Sequence, residues 1–362
     1  MVSRSAPVGE VSPVLGGLRK RAPRLYLPAV RHQSALKQPM FDARRCPRDS
    51  LPVPAALNGV ECVDKVIAYI TRGERFIVFE QPEVSSAGIQ VPGGTVEEGE
   101  SLEEAVLREA NEETGLSRLR IVRALGVQLH RRPSGRIHRR HYFHLEDHSE
   151  AVRDVWEHYE EFPHCGSAPI LYRLGWADLH DPPALEAELD HALHQLRLGL
   201  TKPALSPLGR HRHAARALIL DDHDRVLLLQ ARISGQSMWV TPGGGVERDE
   251  CYASALQREV AEEVGVPLRV GPIVWVRRFS GAEAGNIGPG GEFTEVFFSG
   301  RALDHAVSPL RPDDDVIGHK WWSVDELMAS RELFAPRALP TLLPPLIETG
   351  AINHGTPTDI GL

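Results

Sequence analysis

Hydrophobic and polar positions fall into the same order twice along this chain. Val63 to Ile70 and Arg75 to Glu80 are apolar-rich runs of strand length, separated by the turn Thr71-Arg72-Gly73-Glu74. That arrangement predicts a β-hairpin. A glycine turn follows at Pro92-Gly93-Gly94, then a predicted helix from about Ser101 to Thr114, stopped by Gly115 in the place of a C-terminal glycine cap. Strands are expected at Leu119 to Leu129 and Arg139 to Leu145. Downstream, Ala214 to Leu220 and Arg225 to Ala231 flank the turn Asp221-Asp222-His223-Asp224. Pro242-Gly243-Gly244-Gly245 leads into a second helix, from about Cys251 to Val264, with Gly265 as its stop. Strands are expected near Leu268 to Arg278 and Glu292 to Gly300.

Gly94 aligns with Gly244 and Arg108 with Arg258 at one shared offset of about 150 residues, one domain's worth of chain. Both halves close alike. Ile170 to Leu174 leads to Trp176, and Val316 to Lys320 leads to Trp321 and Trp322, then to Ser323-Val324-Asp325-Glu326, which has the form of a capping box. A helix from Pro183 to Leu198, with Leu185, Leu189, Ala192, Leu193 and Leu196 on one face, is expected to join the halves. Leu339 to Ile347 reads as a short helix interrupted by Pro344 and Pro345. Met1 to about Pro54 is rich in Pro, Arg, Ser and Ala and holds no period of 2 or 3.6, the mark of a disordered segment. The expected plan is a disordered basic tail over 1–56, globular halves over 57–180 and 211–350, a helical linker over 181–210 and a tail over 351–362. The class is α/β (α+β).

The length of 362 residues accommodates two domains with real cores, and a net charge of −8 sets the chain apart from general nucleic-acid binders. Cys46, Cys62, Cys165 and Cys251 form no CxxC pair, so neither a zinc site nor a disulfide framework is expected. A reducing, cytoplasmic setting is the expectation. No apolar run reaches the ~20 residues that span a bilayer.

Chemistry concentrates in two stretches. One is Gly94, five residues, Glu100, seven residues, then Arg108-Glu109-Ala110-Asn111-Glu112-Glu113-Thr114-Gly115-Leu116. The other is Gly244, five residues, Glu250, seven residues, then Arg258-Glu259-Val260-Ala261-Glu262-Glu263-Val264-Gly265-Val266. Glu109, Glu112 and Glu113 stand at i, i+3 and i+4, on one helix face, and Glu259, Glu262 and Glu263 repeat the arrangement. Clustered carboxylates raise one another's pKa unless a cation joins them. Oxygen ligands on a rigid helix suit Mg²⁺ or Mn²⁺ better than zinc. Arg108 and Arg258 lie one turn before Glu112 and Glu262, within reach of their carboxylates. A solvated acidic helix would explain the Arg–Glu pairs but not the glycine turn at the same fixed spacing.

Both stretches resemble the Nudix signature, G-x5-E-x7-R-E-U-x-E-E-x-G-U with U apolar; Ala110 is smaller than the usual residue at its position. The resemblance covers about Cys62 to Asp178 and His211 to Ile347. It implies two Nudix folds, each a mixed β-sheet sandwiched between helices, and attack of a metal-activated water on a pyrophosphate. It also implies metal ligation by Gly93, Glu109, Glu112 and Glu113, and by Gly243, Glu259, Glu262 and Glu263. Among these, Glu109, Glu112, Glu259 and Glu262, with Arg108 and Arg258, are the catalytic candidates. Glu100 and Glu250 match supporting positions.

Substrate-selecting features are sought outside the signature. The basic stretch from His130 to His144 is expected on a hairpin. Arg131, Arg139 and His141 are candidates to hold phosphate there, with Tyr142 or Phe143 to stack a ring; a solvated strand face with Phe143 and Leu145 inward is the alternative. Pro133 reads as a turn residue, and Trp156 and His158 either as a pocket wall or as part of an amphipathic segment. Glu292 and Glu295 are weighed as extra ligand or base against surface glutamates, and Gly281 to Gly291 as a flexible cover. The expected partner is a small nucleotide substrate, with neither a membrane nor nucleic acid. A homodimer and an intramolecular pseudo-dimer both stay open. A nucleotide-sensing regulator without catalysis and a hydrolase of RNA 5′ ends are the competing functions.

Overall fold

The computed structural model describes residues 62–150, 153–161, 163, 168–204, 211–233, 235–281, 291–309, 311 and 314–361. The expected tail over 1–56 and most of the Gly281–Gly291 loop lie outside them.

The first half is built on β1 (Cys62–Arg72), β2 (Arg75–Glu80), β3 (Gly93–Thr95), β4 (Leu119–Arg131), β5 (Ile137–Asp147), β6 (Val155–Glu160) and β7 (Ile170–Asp178). The strand order is β4-β5-β1-β2-β7-β6, with β3 paired to β1. β1 and β5 run parallel and the other pairs are antiparallel, so the sheet is mixed. Helix α1 (Leu102–Thr114) starts on a Ser101–Glu104 capping box and ends at Gly115, whose φ of 71° only glycine adopts at no steric cost. Its Ala105, Val106 and Ala110 pack on Val66, Ala68, Ile70, Phe143 and Leu145, on one face of the sheet. The other face presents Ile67, Tyr69 and Tyr142 to Leu189, Ala192, Leu193 and Leu196 of the joining segment.

That segment is not the continuous helix expected over Pro183 to Leu198. Ala187 and Glu188 take φ of 52° and 59°, which breaks a right-handed helix, and regular α2 occupies only Leu193–Leu200. The expected apolar face is buried all the same, delivered by a turn and a short helix.

The second half repeats the plan. β8 (His211–Leu220), β9 (Val226–Ile233), β10 (Gln236–Val240), β11 (Gly243–Gly245), β12 (Leu268–Ser280), β13 (Glu292–Ala302) and β14 (Val316–Trp322) form its sheet, with α3 (Tyr252–Glu263) on one face. The opposite face carries Leu218, Trp239, Phe297 and Trp322. It is covered by α4 (Val324–Ala329), which starts on the Ser323–Glu326 capping box, and by α5 (Leu339–Glu348). β15 (Phe334–Ala335) extends this sheet beside β10. The expected interruption of α5 does not occur. Each proline removes one N–H donor, but buried Leu339 and Leu343 hold the helix to the sheet and it continues to Glu348.

Of the expected tail over 351–362, the described residues 351–361 pack on the second domain. Ile352 is buried, and β16 (Thr358–Asp359) adds in parallel to β12. The two halves pack on each other within the chain. Arg123 of β4 is buried, donates to the carbonyl of Gln195 at 2.5 Å and lies 5.3 Å from the ring of Phe298. Gln195 in turn bridges to Ile273, accepting from its N–H at 2.8 Å and donating to its carbonyl at 2.7 Å. Among the described residues no helix is long and apolar enough to cross a membrane.

Candidate active sites

Each site joins a glycine turn to a helix face. β3 pairs with β1 so that Gly94 faces Val66 and Gly93 faces Ile67. A side chain at Gly94 would overlap the carboxylate of Glu109, so glycine lets the α1 acids close on the turn. The backbone N–H of Gly93 donates to Glu113 at 2.8 Å. Arg108 organises the rest. It clamps Glu100 with two bonds of 2.8 and 2.9 Å, donates to the carbonyl of Thr95 at 2.9 Å, and reaches Glu109 and Glu112 at 3.0 Å each.

The second site has the same wiring. Gly243 N–H donates to Glu263 at 2.7 Å. Arg258 clamps Glu250 at 3.0 and 2.9 Å, donates to the carbonyl of Gly245 at 2.8 Å, and reaches Glu259 at 2.8 Å and Glu262 at 3.3 Å. Two sites that share every one of these bonds are two copies of one device.

Burial and the neighbouring Glu112 push the Glu109 carboxyl up, against the pull of Arg108 and Lys65. Burial, with Glu109 and Glu160 close by, pushes Glu113 up further still. Such carboxylates would gain from a cation. Among the described residues no group of three or more His, Cys, Asp or Glu side chains is gathered tightly enough to hold an ion. Arg108 and Arg258 instead stand between the acids. The donor set is nonetheless oxygen-only and partly buried, with the backbone of the glycine turn directly against it, so its chemistry fits a hard divalent cation.

Two groups near the first site carry no mark in the linear pattern. Tyr172 donates to Glu160 at 2.7 Å and to Glu113 at 3.3 Å. Lys65 bonds Thr95, and its ammonium is attracted by both Glu109 and Glu113. Only the β1–β3 and β6–β7 pairings bring these residues to the box.

The basic hairpin is distributed differently from the expectation. Arg139 and His141 point to the α1 face, where both bind Asp64, Arg139 at 2.5 and 2.6 Å and His141 at 2.7 Å. Against its burial, these two partners hold Asp64 well below the ordinary carboxylate range. These two side chains are therefore engaged by an internal acid. Arg131 is exposed at the end of β4. Tyr142 is fully buried, with its hydroxyl on Gln128 at 2.8 Å, and offers no ring to a ligand. It is His138 and Arg140 that share the opposite face with Lys65, and the β1–β5 register pairs Lys65 with Arg140.

Pro133 sits in the tight turn that Gly135 N–H closes on the carbonyl of Arg132. Trp156 and His158 line a cavity at the C-terminal end of α1, next to Thr114 and Gly115. Glu295 is not a surface residue. It is buried and paired with Arg277 at 2.7 Å and Arg216 at 3.3 Å, whereas Glu292 is exposed.

The chain belongs to the NUDIX family: the NUDIX domain model matches residues 63–190 and again 210–342. It is a Nudix hydrolase carrying two such domains. A prenyl-diphosphate phosphatase of Methanosarcina mazei is 30% identical over 127 residues, covering 33% of this chain and 68% of that protein. The phosphatase NudJ of Escherichia coli K12 is 24% identical over 125 residues, covering 34% of this chain and 76% of that protein. The crystal structure of a MutT protein from Methanosarcina mazei matches 39% of this chain and 95% of its own, with 22% identity and a TM-score of 0.31.

Proposed function

We propose that both domains, within the bounds 57–180 and 211–350, hydrolyse the pyrophosphate linkage of nucleoside-diphosphate-linked compounds with Mg²⁺ or Mn²⁺. The observation that carries this reading is the duplicated wiring: a glycine turn, three helix carboxylates and one arginine clamp, bond for bond in both halves.

The Gly93 carbonyl with Glu109, Glu112 and Glu113 would hold a cation in the first domain, and Gly243 with Glu259, Glu262 and Glu263 in the second. A bound divalent cation supplies charge neutralisation at the pyrophosphate and a lower pKa for water. The chain's own groups do the rest. Arg108 and Arg258 hold the first two carboxylates of each set, and the Gly93 and Gly243 N–H groups hold the third. Glu112 is the most open acid of its set, with 43% of its side chain exposed, which supports it as the group that takes a proton from an attacking water. Such general-base assistance contributes about 10²–10⁴-fold.

The test is the purified full chain with either metal on nucleoside triphosphates, nucleotide sugars, ADP-ribose, dinucleotides and capped RNA, with products identified. Glu113→Gln and Glu263→Gln, made separately, assign each activity to a domain. A parent protein that leaves the whole panel intact would overturn the proposal.

A further inference from the structure

The sheet face turned away from the box helix differs sharply between the domains. The ladders supply the correspondence. Lys65 pairs with Arg140 as Ala214 pairs with Glu295, and His130 pairs with His138 as Phe279 pairs with Phe293. All lie on the face opposite α1 or α3, because residues one step along each strand, Val66 and Ala215 among them, pack under those helices.

In the first domain this face is cationic. Lys65 and Arg140 adjoin each other across the ladder, and the fields of Lys65, Arg132 and Arg140 add to burial to push the neighbouring His138 down to about 4. The aromatic side chain nearest to them in the ladder, Tyr142, is sealed in the core. In the second domain neither Lys65 nor Arg140 has a cationic counterpart. Alanine replaces Lys65, and glutamate replaces Arg140 and is paired internally with Arg216 and Arg277. Two half-buried aromatic rings replace the histidines. Phe279 and Phe293 stack with centroids 4.9 Å apart and planes 7° from parallel, and Arg277 lies 4.2 Å from the Phe279 ring. Arg277 covers Phe279 and Phe279 covers one side of Phe293. On the β8 side of Phe293 the register sets Arg212 and then the small Ala214.

Flat rings beside a small residue and a phosphate-handling box suit a nucleobase, since every base offers a π face for stacking. A lysine beside the same box suits further anionic oxygens, and Arg140, buried and donating to the carbonyl of Ala187 at 2.5 Å, adds its charge behind it. We propose that the two domains divide substrates by what lies beyond the pyrophosphate: the second domain holds a nucleobase on Phe293, and the first holds an additional phosphate on Lys65. This rests on the reading of both boxes as pyrophosphate sites.

Isothermal calorimetry on the full chain with Mg²⁺ tests it, using AMP, ribose 5-phosphate and tripolyphosphate as probes. AMP is expected to bind roughly ten-fold or more tighter than ribose 5-phosphate, the value of one stacked base. Phe293→Leu keeps an apolar side chain but loses the ring. It should abolish the AMP advantage and leave tripolyphosphate binding unchanged, with Phe279→Leu acting in the same direction. Lys65→Met should weaken tripolyphosphate roughly ten-fold, as loss of one charged hydrogen bond does, and leave the AMP advantage intact. Thermal unfolding confirms that each variant is folded. The proposal is overturned if Phe293→Leu and Phe279→Leu both retain the AMP advantage, or if Lys65→Met fails to weaken tripolyphosphate. Binding needs no turnover, so a chain that hydrolyses nothing would sink the catalytic reading and leave this measurement standing or falling separately.

Discussion

Replacing Arg108 with alanine should be among the most damaging single changes at the first site, and the structure sets its size. The guanidinium makes five hydrogen bonds, two to Glu100 and one each to Thr95, Glu109 and Glu112. Its loss strands Glu100 and Glu109, whose side chains are only 14% and 8% exposed. Removing one partner of a buried ion pair costs about 3–5 kcal/mol because the other charge is left unpaired. Arg108 is itself 24% exposed, so water recovers part of that, and about 2–4 kcal/mol is expected. For a domain of this size the drop in Tm is roughly 5–15 °C. The assay is thermal unfolding of the metal-free full chain, followed by a Mg²⁺ titration. A cation that binds the stranded carboxylates of the folded state raises Tm by mass action, so Mg²⁺ should restore more stability to the variant than to the parent. Arg258→Ala repeats the experiment in the same molecule and should give a similar loss. Arg118→Ala, whose partner Glu150 is 66% exposed, should cost less than about 0.5 kcal/mol. If Arg108→Ala and Arg258→Ala cost no more than Arg118→Ala, the clamps are surface pairs and the reasoning fails.

Two further outcomes follow from the geometry. Adjacent glycines should separate stability from activity. Gly93→Ala drives a methyl into the backbone carbonyl of Val66 and should destabilise by about 1–3 kcal/mol, whereas the atoms nearest to a methyl at Gly94 are the carboxylate end of Glu109, a side chain that can rotate aside at the expense of its bond to Arg108. Gly94→Ala should therefore lose less stability than Gly93→Ala yet lower first-site turnover on the order of 10²-fold in a Glu263→Gln background; equal loss of stability in the two would refute the distinction. Asp64 is held below its ordinary value of 3.8 by Arg139 and His141. A depressed carboxylate contributes stability above its unfolded pKa and loses it as pH falls through the folded value. Asp64→Asn should accordingly unfold at lower denaturant than the parent at pH 7, and the gap should start to narrow only below about pH 3.8 and vanish in stronger acid; a gap that persists unchanged into strong acid would contradict the assignment.

The boxes were legible from sequence because their chemistry lies on a single helix. Once Glu109, Glu112 and Glu113 stand at i, i+3 and i+4, their common face follows from helix geometry alone. The basic hairpin was not legible, because β5 is buried on both faces and so shows no alternation from which to read direction. Whether Arg139 or Arg140 shares the face of Lys65 depends on the register with β1, which no local pattern records. Lys65, Tyr172 and Glu160 were missed for the same reason, since long-range strand pairing delivers each of them. The joining helix was over-extended because its apolar spacing was real, while the left-handed turn at Ala187 and Glu188 involves no glycine to announce it.

The seam at Gly355 has a consequence for the order in which this molecule can be completed. β4 lies at the edge of the first sheet, and its Gly126 meets the backbone of His354 and Gly355. The carbonyl of Gly355 also takes a hydrogen bond from Gln195, 160 positions earlier. Domains ordinarily fold as they emerge during synthesis, the N-terminal one first. Here the first domain can form its sheet early but must wait for the whole second domain before that edge is covered. During the interval it presents an open strand to any neighbouring nascent chain. Ribosome-bound chains halted before residue 354 should thus be the aggregation-prone species, and the burden on chaperones should fall on a domain whose own sequence has long since been translated.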